Sequence, residues 1–343
     1  MYVSRLLTVL FLLFGFASSV TAKITAQQVA IVINTQDADS RLIAYYYQNK
    51  RGIPQENLIE VSIPAGNNSI SEKKFNEIYR QIKKQTPDAV QYYALAWSKP
   101  FKVACMSITS AVAFGFDKAF CAQGCKPTRL SAYYNSDTGL PNDDLNIRPA
   151  MMLAGSSLAQ VRAMIDRGVA SDQTKPEATA YLMSTTDKAR NRRSWRYPVI
   201  KSILSERINV ELIKGDVLKD RDDVMFYFTG LTRVAEIKSN QFVPGAIADH
   251  LTSSGGNLFG VRQMSILRWL DAGATASYGT VVEPCAFTQK FPNPGIVIER
   301  YLDGESLIEV YWKSVAWPGQ GVFVGEPMAS PYAETNNLSS KEI

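Results

Sequence analysis

The chain carries a single imidazole, His250, and four thiols, Cys105, Cys121, Cys125 and Cys285, and these are the side chains whose ordinary pKa values lie nearest neutrality. Thiol-dependent hydrolysis needs a thiolate beside an imidazole that takes its proton. His250 is the one base of that kind available, and Cys285 is the cysteine nearest to it in sequence, so the two form a candidate dyad. Two neighbours argue against it. Glu283 stands two residues before Cys285, where a carboxylate raises a thiol's pKa, and His250 follows Asp249, the setting of a hydrogen-bonded structural histidine. Asp249 and Glu283 are themselves candidates for a carboxylate-dependent hydrolase.

A second concentration of polar atoms runs from Asn135 to Asp144 around a Gly/Pro turn. Asp137, Asp143 and Asp144 there are candidate calcium ligands, since a hard cation takes oxygen donors. The spacing and terminal Glu of a twelve-residue calcium loop are missing, and a surface loop of Asx turns accounts for the same residues. No other cofactor is expected. Glu326, in Gly325-Glu326-Pro327 after the strand-like Val322–Val324, reads first as a structural cap of backbone amides and second as an acid–base group.

Four cysteines in an exported chain argue for two disulfides, with three possible pairings. Cys121 and Cys125 are separated by Ala-Gln-Gly, which permits a local bridge and leaves Cys105 for Cys285. Export itself follows from the first residues. Arg5, the apolar run Leu6–Ala17 and Val20-Thr21-Ala22 describe a signal peptide over 1–22, too short to span hydrocarbon. The mature protein is then periplasmic or extracellular, with no integral membrane segment.

Those candidate groups need a scaffold, and the pattern specifies one. Val29–Asn34 is a continuous apolar, β-branched run, as in a strand buried on both faces of a parallel sheet. A helix over Ser40–Lys50 stops at Gly52-Ile53-Pro54, and a strand follows at Leu58–Ile63. Ser71 caps a helix to Gln85 with Phe75, Ile78, Tyr79 and Ile82 on one face, ahead of a strand at 90–97. The alternation lapses over 100–149, which reads as a long ordered excursion pinned by disulfide. It resumes with a helix at 157–166, strands at 178–183, 224–228 and 274–281, and helices at 265–271, 296–302 and 307–315. The expected fold is α/β, a three-layer sandwich with a mainly parallel central sheet. Its organisation is an N-terminal α/β region over 23–150, a C-terminal one over 151–332 and a flexible tail over 333–343.

Composition limits the function. With 46% hydrophobic and 20% charged residues the chain folds around a core. A net charge of +5, about +4 once the leader is removed, is no polyanion signal and argues against nucleic acid. There is no phosphate-cradling loop, dinucleotide fingerprint or Gly-x-Ser-x-Gly elbow. The basic run Lys188–Arg193 reads as a solvated loop, with an anionic-ligand site as the alternative. Tyrosines at 45–47, 92–93 and 133–134 and the tryptophans at 312 and 317 suit either a core or a sugar-stacking surface.

Longer strings carry a resemblance. YYQNKRGIPQEN (46–57), CMSITSAVAFGF (105–116), PGAIADHLTSSGG (244–256), GATASYGTVVEP (273–284) and YWKSVAWPGQGVFVGEP (311–327) resemble a family of exported bacterial proteins from genomes that encode exosortase and the PEP-CTERM sorting system. The last third is also similar in layout to gingipain-like peptidases of the caspase-type fold. That second resemblance implies a general-base His after one strand, in a Gly-His-Gly turn, and a nucleophilic Cys at the end of the next. Here the first position reads Phe228-Thr229-Gly230-Leu231 and the second falls within Leu251–Gly256, with neither group present. The expectation is an exported, non-proteolytic protein that binds an envelope protein or polysaccharide in surface-protein sorting or exopolysaccharide production. The alternative is a hydrolase using Cys285 with His250, or Asp249 with Glu283.

Overall fold

The computed structural model describes residues 24–122 and 125–334; the expected signal peptide and the tail beyond residue 334 lie outside the described residues. Strand β1 (Val29–Asn34) is buried at every position, as its unbroken apolar run requires. Helix α1 (Ala38–Arg51) starts where the Asp37 side chain accepts a hydrogen bond from the Asp39 amide, and ends at Gly52, whose φ of 64° suits a residue without Cβ. Strand β2 (Leu58–Val61) completes a parallel βαβ unit with β1. Beyond β3 (Ser69–Ile70), helix α2 (Glu72–Gln85) is capped by Ser71 and buries Phe75, Ile78 and Ile82, and β4 (Tyr92–Leu95) returns parallel to β1 on its other side.

The stretch 100–149 has more structure than its pattern suggests. β5 (Lys102–Val103) and β6 (Met106–Ser107) join β3 in a three-stranded sheet, followed by α3 (Ile108–Phe114) and the short α4 (Pro141–Leu145). Two disulfides hold it, but with a different pairing from the one expected. Cys105 bonds Cys121 and Cys125 bonds Cys285, with Cα–Cα separations of 5.4 and 5.3 Å. The reason is placement: Cys105 lies in the β5–β6 turn, which the 3₁₀ turn at Lys118–Phe120 brings against Cys121. Cys125 is left to reach the later loop.

The second half adds β7 (Ala150–Met152), α5 (Leu158–Ser171), β8 (Thr179–Ser184), α6 (Tyr197–Leu204) and β9 (Asn209–Lys214). Then come β10 (Val224–Thr229), β11 (Phe242–His250), α7 (Leu267–Asp271), β12 (Ala276–Thr280), α8 (Pro294–Leu302), α9 (Leu307–Ser314) and β13 (Gly321–Gly325). Ten strands form one sheet in the order β2-β1-β4-β7-β13-β12-β11-β10-β8-β9. β13 runs antiparallel to β12, and the seam to β7 rests on one matched pair, Val324 with Met152; the outer pairings on both sides are parallel. This is the mainly parallel α/β sandwich that the alternation predicts. Most of the tyrosines and tryptophans proposed for sugar stacking are core: Tyr47, Tyr92, Tyr93, Tyr133 and Trp312 are buried. No helix among the described residues is long and apolar enough to cross a membrane.

Candidate functional site at the carboxyl ends of the C-terminal strands

Strands β8, β10, β11 and β12 lie side by side and parallel, so their carboxyl ends share one edge, where open α/β sheets take ligands. The loops that follow β8 and β12 fold over the ends of the two strands between them. The basic run after β8, read from sequence as a solvated loop, is partly interior. Arg193 is 2% exposed; its Nη2 donates to Asp249 at 2.6 Å and to the Thr229 carbonyl at 2.8 Å, and its Nη1 donates to the Pro292 carbonyl. Arg190 donates through Nε to Thr252 Oγ1 at 3.1 Å and through Nη1 to Asp187. Its main chain presses on Gly230 so closely that a Cβ there would stand 2.1 Å from the Arg190 carbonyl oxygen.

The peptidase resemblance implies a base and a nucleophile at the ends of β10 and β11, and both places are closely packed here. Gly230 has no room for a side chain. Thr252 is 1% exposed and donates to Gln263 Oε1 at 2.8 Å, which also accepts from the Ser254 amide, while Thr280 donates to the Ser253 carbonyl. Gly256 packs against β12 with its position for a Cβ only 2.4 Å from the Gly279 carbonyl.

The sequence candidates are placed apart in role. His250, the last residue of β11, is fully buried; Trp269 Nε1 donates to its Nδ1 at 3.0 Å, so Nε2 carries the proton and donates to the Met264 carbonyl at 3.1 Å. Burial, aided by the nearby Arg193 and Arg190 charges and opposed by the Met264 carbonyl, lowers its pKa to about 4, so it is neutral and fully engaged. Cys285 is bonded to Cys125 and offers no thiol. Asp249 is 1% exposed, and burial pushes its carboxyl up against the opposing pull of Arg193. Glu283 is exposed and accepts from the Cys285 amide at 2.8 Å. The structure therefore spends His250 and Cys285 on structural bonds and does not join them as a dyad.

The calcium candidates are likewise engaged with protein groups. Asp137 receives Arg300, Asp143 receives the Gln91 and Asn142 amides, and Asp144 receives the Thr138 hydroxyl. Among the described residues no group of three His, Cys, Asp or Glu side chains gathers as a metal site. Glu326 is fully buried between Tyr47 and Arg51 and also caps the Met328 amide, the structural role its turn suggests.

What sequence reasoning missed is the outer face of the seal. Lys188, Asn191, Arg192, Ser194 and Trp195 from the loop after β8 face Phe287, Thr288 and Gln289 from the loop after β12 across an open groove of about 500 Å³. Trp195 is 67% exposed. The basic run was a visible signal; its partner loop, about a hundred residues further along the chain and next to the Cys125–Cys285 bridge, was not.

No family model matches the chain, and no curated protein matches it. Among solved structures the chain is similar to the crystal structure of the Arg-specific cysteine proteinase gingipain R, with a TM-score of 0.52 at 13% identity over 91% of this chain and 79% of that one. The chain thus has a caspase/gingipain-like fold over most of its length, not over the last third alone.

Proposed function

We propose that this chain is an exported protein that keeps a peptidase fold and uses the carboxyl-end edge of its second half to bind, not to cleave. The observation that carries the reading is the state of that edge: Arg190 closes on Gly230, Thr252 is buried beneath the same loop, and the thiol and imidazole of the chain are committed to a disulfide and to Trp269 and Met264. A nucleophile there would need an accessible thiolate or hydroxyl beside a base. Two disulfides fit an oxidising compartment, in keeping with export. The bound partner belongs to the bacterial envelope, a surface protein under sorting or an exopolysaccharide; support for that finer assignment is the likeness of the sequence strings to proteins from exosortase-encoding genomes.

The hydrolase alternative keeps the fold in its favour and little else, since His250 and Asp249 are buried and Cys285 is held in a disulfide, which leaves Glu283 alone exposed among its four candidates. A mixed peptide library incubated with the mature protein between pH 5 and 9 separates the two. No cleavage is the expected result. Cleavage that disappears in Cys285→Ala or His250→Ala, with the variants still folded, would overturn the binding reading.

A further inference from the structure

The groove over the sealed edge has a specific chemistry. From Lys188 to Arg196 the chain holds five basic residues and no acid. Two of them are committed inward, Arg193 to Asp249 and Arg190 to Asp187 and Thr252, and Arg196 lies over the Trp195 ring at 4.4 Å from its centre, which leaves Lys188 and Arg192 exposed on the groove wall. Between them and the opposite loop stand Trp195, two-thirds exposed, and the ring of Phe287, with hydroxyl and amide groups of Ser194, Asn191, Thr288 and Gln289 around them. A groove of about 500 Å³ is within the size range of sites that hold small ligands.

A further cation lies below the surface. Lys290 is fully buried, its ammonium has no hydrogen-bond partner among the described residues, and it sits 5.2 Å from the centre of the Phe287 ring. Burial lowers its pKa to about 8, so a neighbouring negative charge would favour its protonated form. The loop that carries Phe287 is also held in an uncommon shape: Cys285 and Ala286 have φ of 56° and 55°, a left-handed pair that L residues adopt at a cost, kept in place by the bond to Cys125.

We infer that this groove is a binding site for an acidic oligosaccharide, a short chain of uronic-acid sugars. The indole face of Trp195 opposite Arg196 offers the apolar surface on which a pyranose ring stacks, Lys188 and Arg192 meet its carboxylates, and the surrounding amides and hydroxyls match ring hydroxyls. A lipid would leave part of that set unused, because the wall has too many hydrogen-bonding groups for an acyl surface, and an acidic peptide is the competitor that the polyglutamate arm below tests. The inference rests on the proposed binding role and narrows its ligand class.

The test is calorimetric titration of the mature, oxidised protein with a galacturonic-acid hexamer, alongside maltohexaose, polyglutamate and phosphatidylglycerol vesicles. The acidic sugar is expected to bind saturably and the neutral one at least tenfold more weakly. Trp195→Ala, at an exposed position where folding is not at stake, is expected to weaken binding about tenfold, the size of one good aromatic contact. Lys188→Ala with Arg192→Ala is expected to weaken it similarly and to flatten its salt dependence. Polyglutamate or anionic vesicles binding as tightly as the uronate, Trp195→Ala binding unchanged, or no uronate binding at all would each overturn the ligand assignment. None of these outcomes touches the binding-not-cleaving reading, which the peptide-library assay decides.

Discussion

Two buried arginine–carboxylate clusters, one just beyond the end of β13 and one at the carboxyl end of β11, both pair an arginine with carboxylate and differ in completeness. Arg51 uses all three guanidinium nitrogens: Nε and Nη2 on Glu326 and Nη1 on Asp172 at 2.6 Å. Glu326 in turn accepts from Tyr47 at 2.6 Å and from the Met328 amide, and Asp172 from the Ser330 amide. This cluster ties α1, α5 and the chain after β13 into one body. Arg193, by contrast, leaves Nε without a partner among the described residues, and its carboxylate, Asp249, likewise leaves Oδ2 without one. A saturated network acts as a mechanical staple, whereas an unsaturated one is costly to keep and needs another reason to be there. Arg193 and Arg190 lie over the carboxyl ends of β10 and β11, on Thr229, Asp249 and Thr252.

The comparison can be broken by mutation. Glu326→Ala leaves the Arg51 charge and the Tyr47 hydroxyl buried without their acceptor, and should cost about 3–5 kcal/mol by urea unfolding. Arg193→Ala should cost less, about 2–3 kcal/mol, because Asp249, already raised by burial, can take up a proton and become neutral. Equal losses in the two variants would erase the distinction between staple and seal. Removing the Cys125–Cys285 bridge as a double Ser variant should cost about 2 kcal/mol, at the low end for disulfides because the core is large.

The remaining predictions concern smaller effects. His250 has a folded pKa near 4, below its unfolded value, so its contribution is complete above about pH 6.5 and is lost as pH falls toward 4. In that window stability should fall with a slope of up to about 1.4 kcal/mol per pH unit from this residue, with Asp249 acting in the opposite sense. His250→Phe should flatten the slope there; an unchanged slope would mean His250 is not the group responsible. Trp195→Ala should change stability by less than about 0.5 kcal/mol, since the ring is mostly in solvent.

Much of the scaffold was legible because hydrophobic period and caps report directly on it. β1 matches its apolar run residue for residue, and α2 begins at the Ser71 cap. What escaped reading depends on distant partners. β11 carries Pro244 and Gly245, then Asp249 and His250, a poor strand by composition; it is a strand because Arg193 and Trp269 receive its buried polar ends. α6 was missed because its apolar residues Val199 and Ile203 face solvent while Tyr197, Ile200 and Leu204 pack inward, so two faces compete in the pattern. The disulfide pairing was out of reach, since three pairings fit four cysteines and loop geometry alone selects among them. The site was half visible: the candidates His250, Cys285, Asp249 and Glu283 and the basic run at 188–193 could be named, and the groove could not, because its walls come from the loops after β8 and β12.

Intact-mass analysis of the native, oxidised protein after treatment with iodoacetamide tests the central claim most directly. The account predicts no adduct before reduction and four after reduction in denaturant, with both disulfides closed and the edge sealed. A single adduct on Cys285 in the native protein, accompanied by loss of a peptide-cleaving activity, would show an accessible catalytic thiol and contradict it.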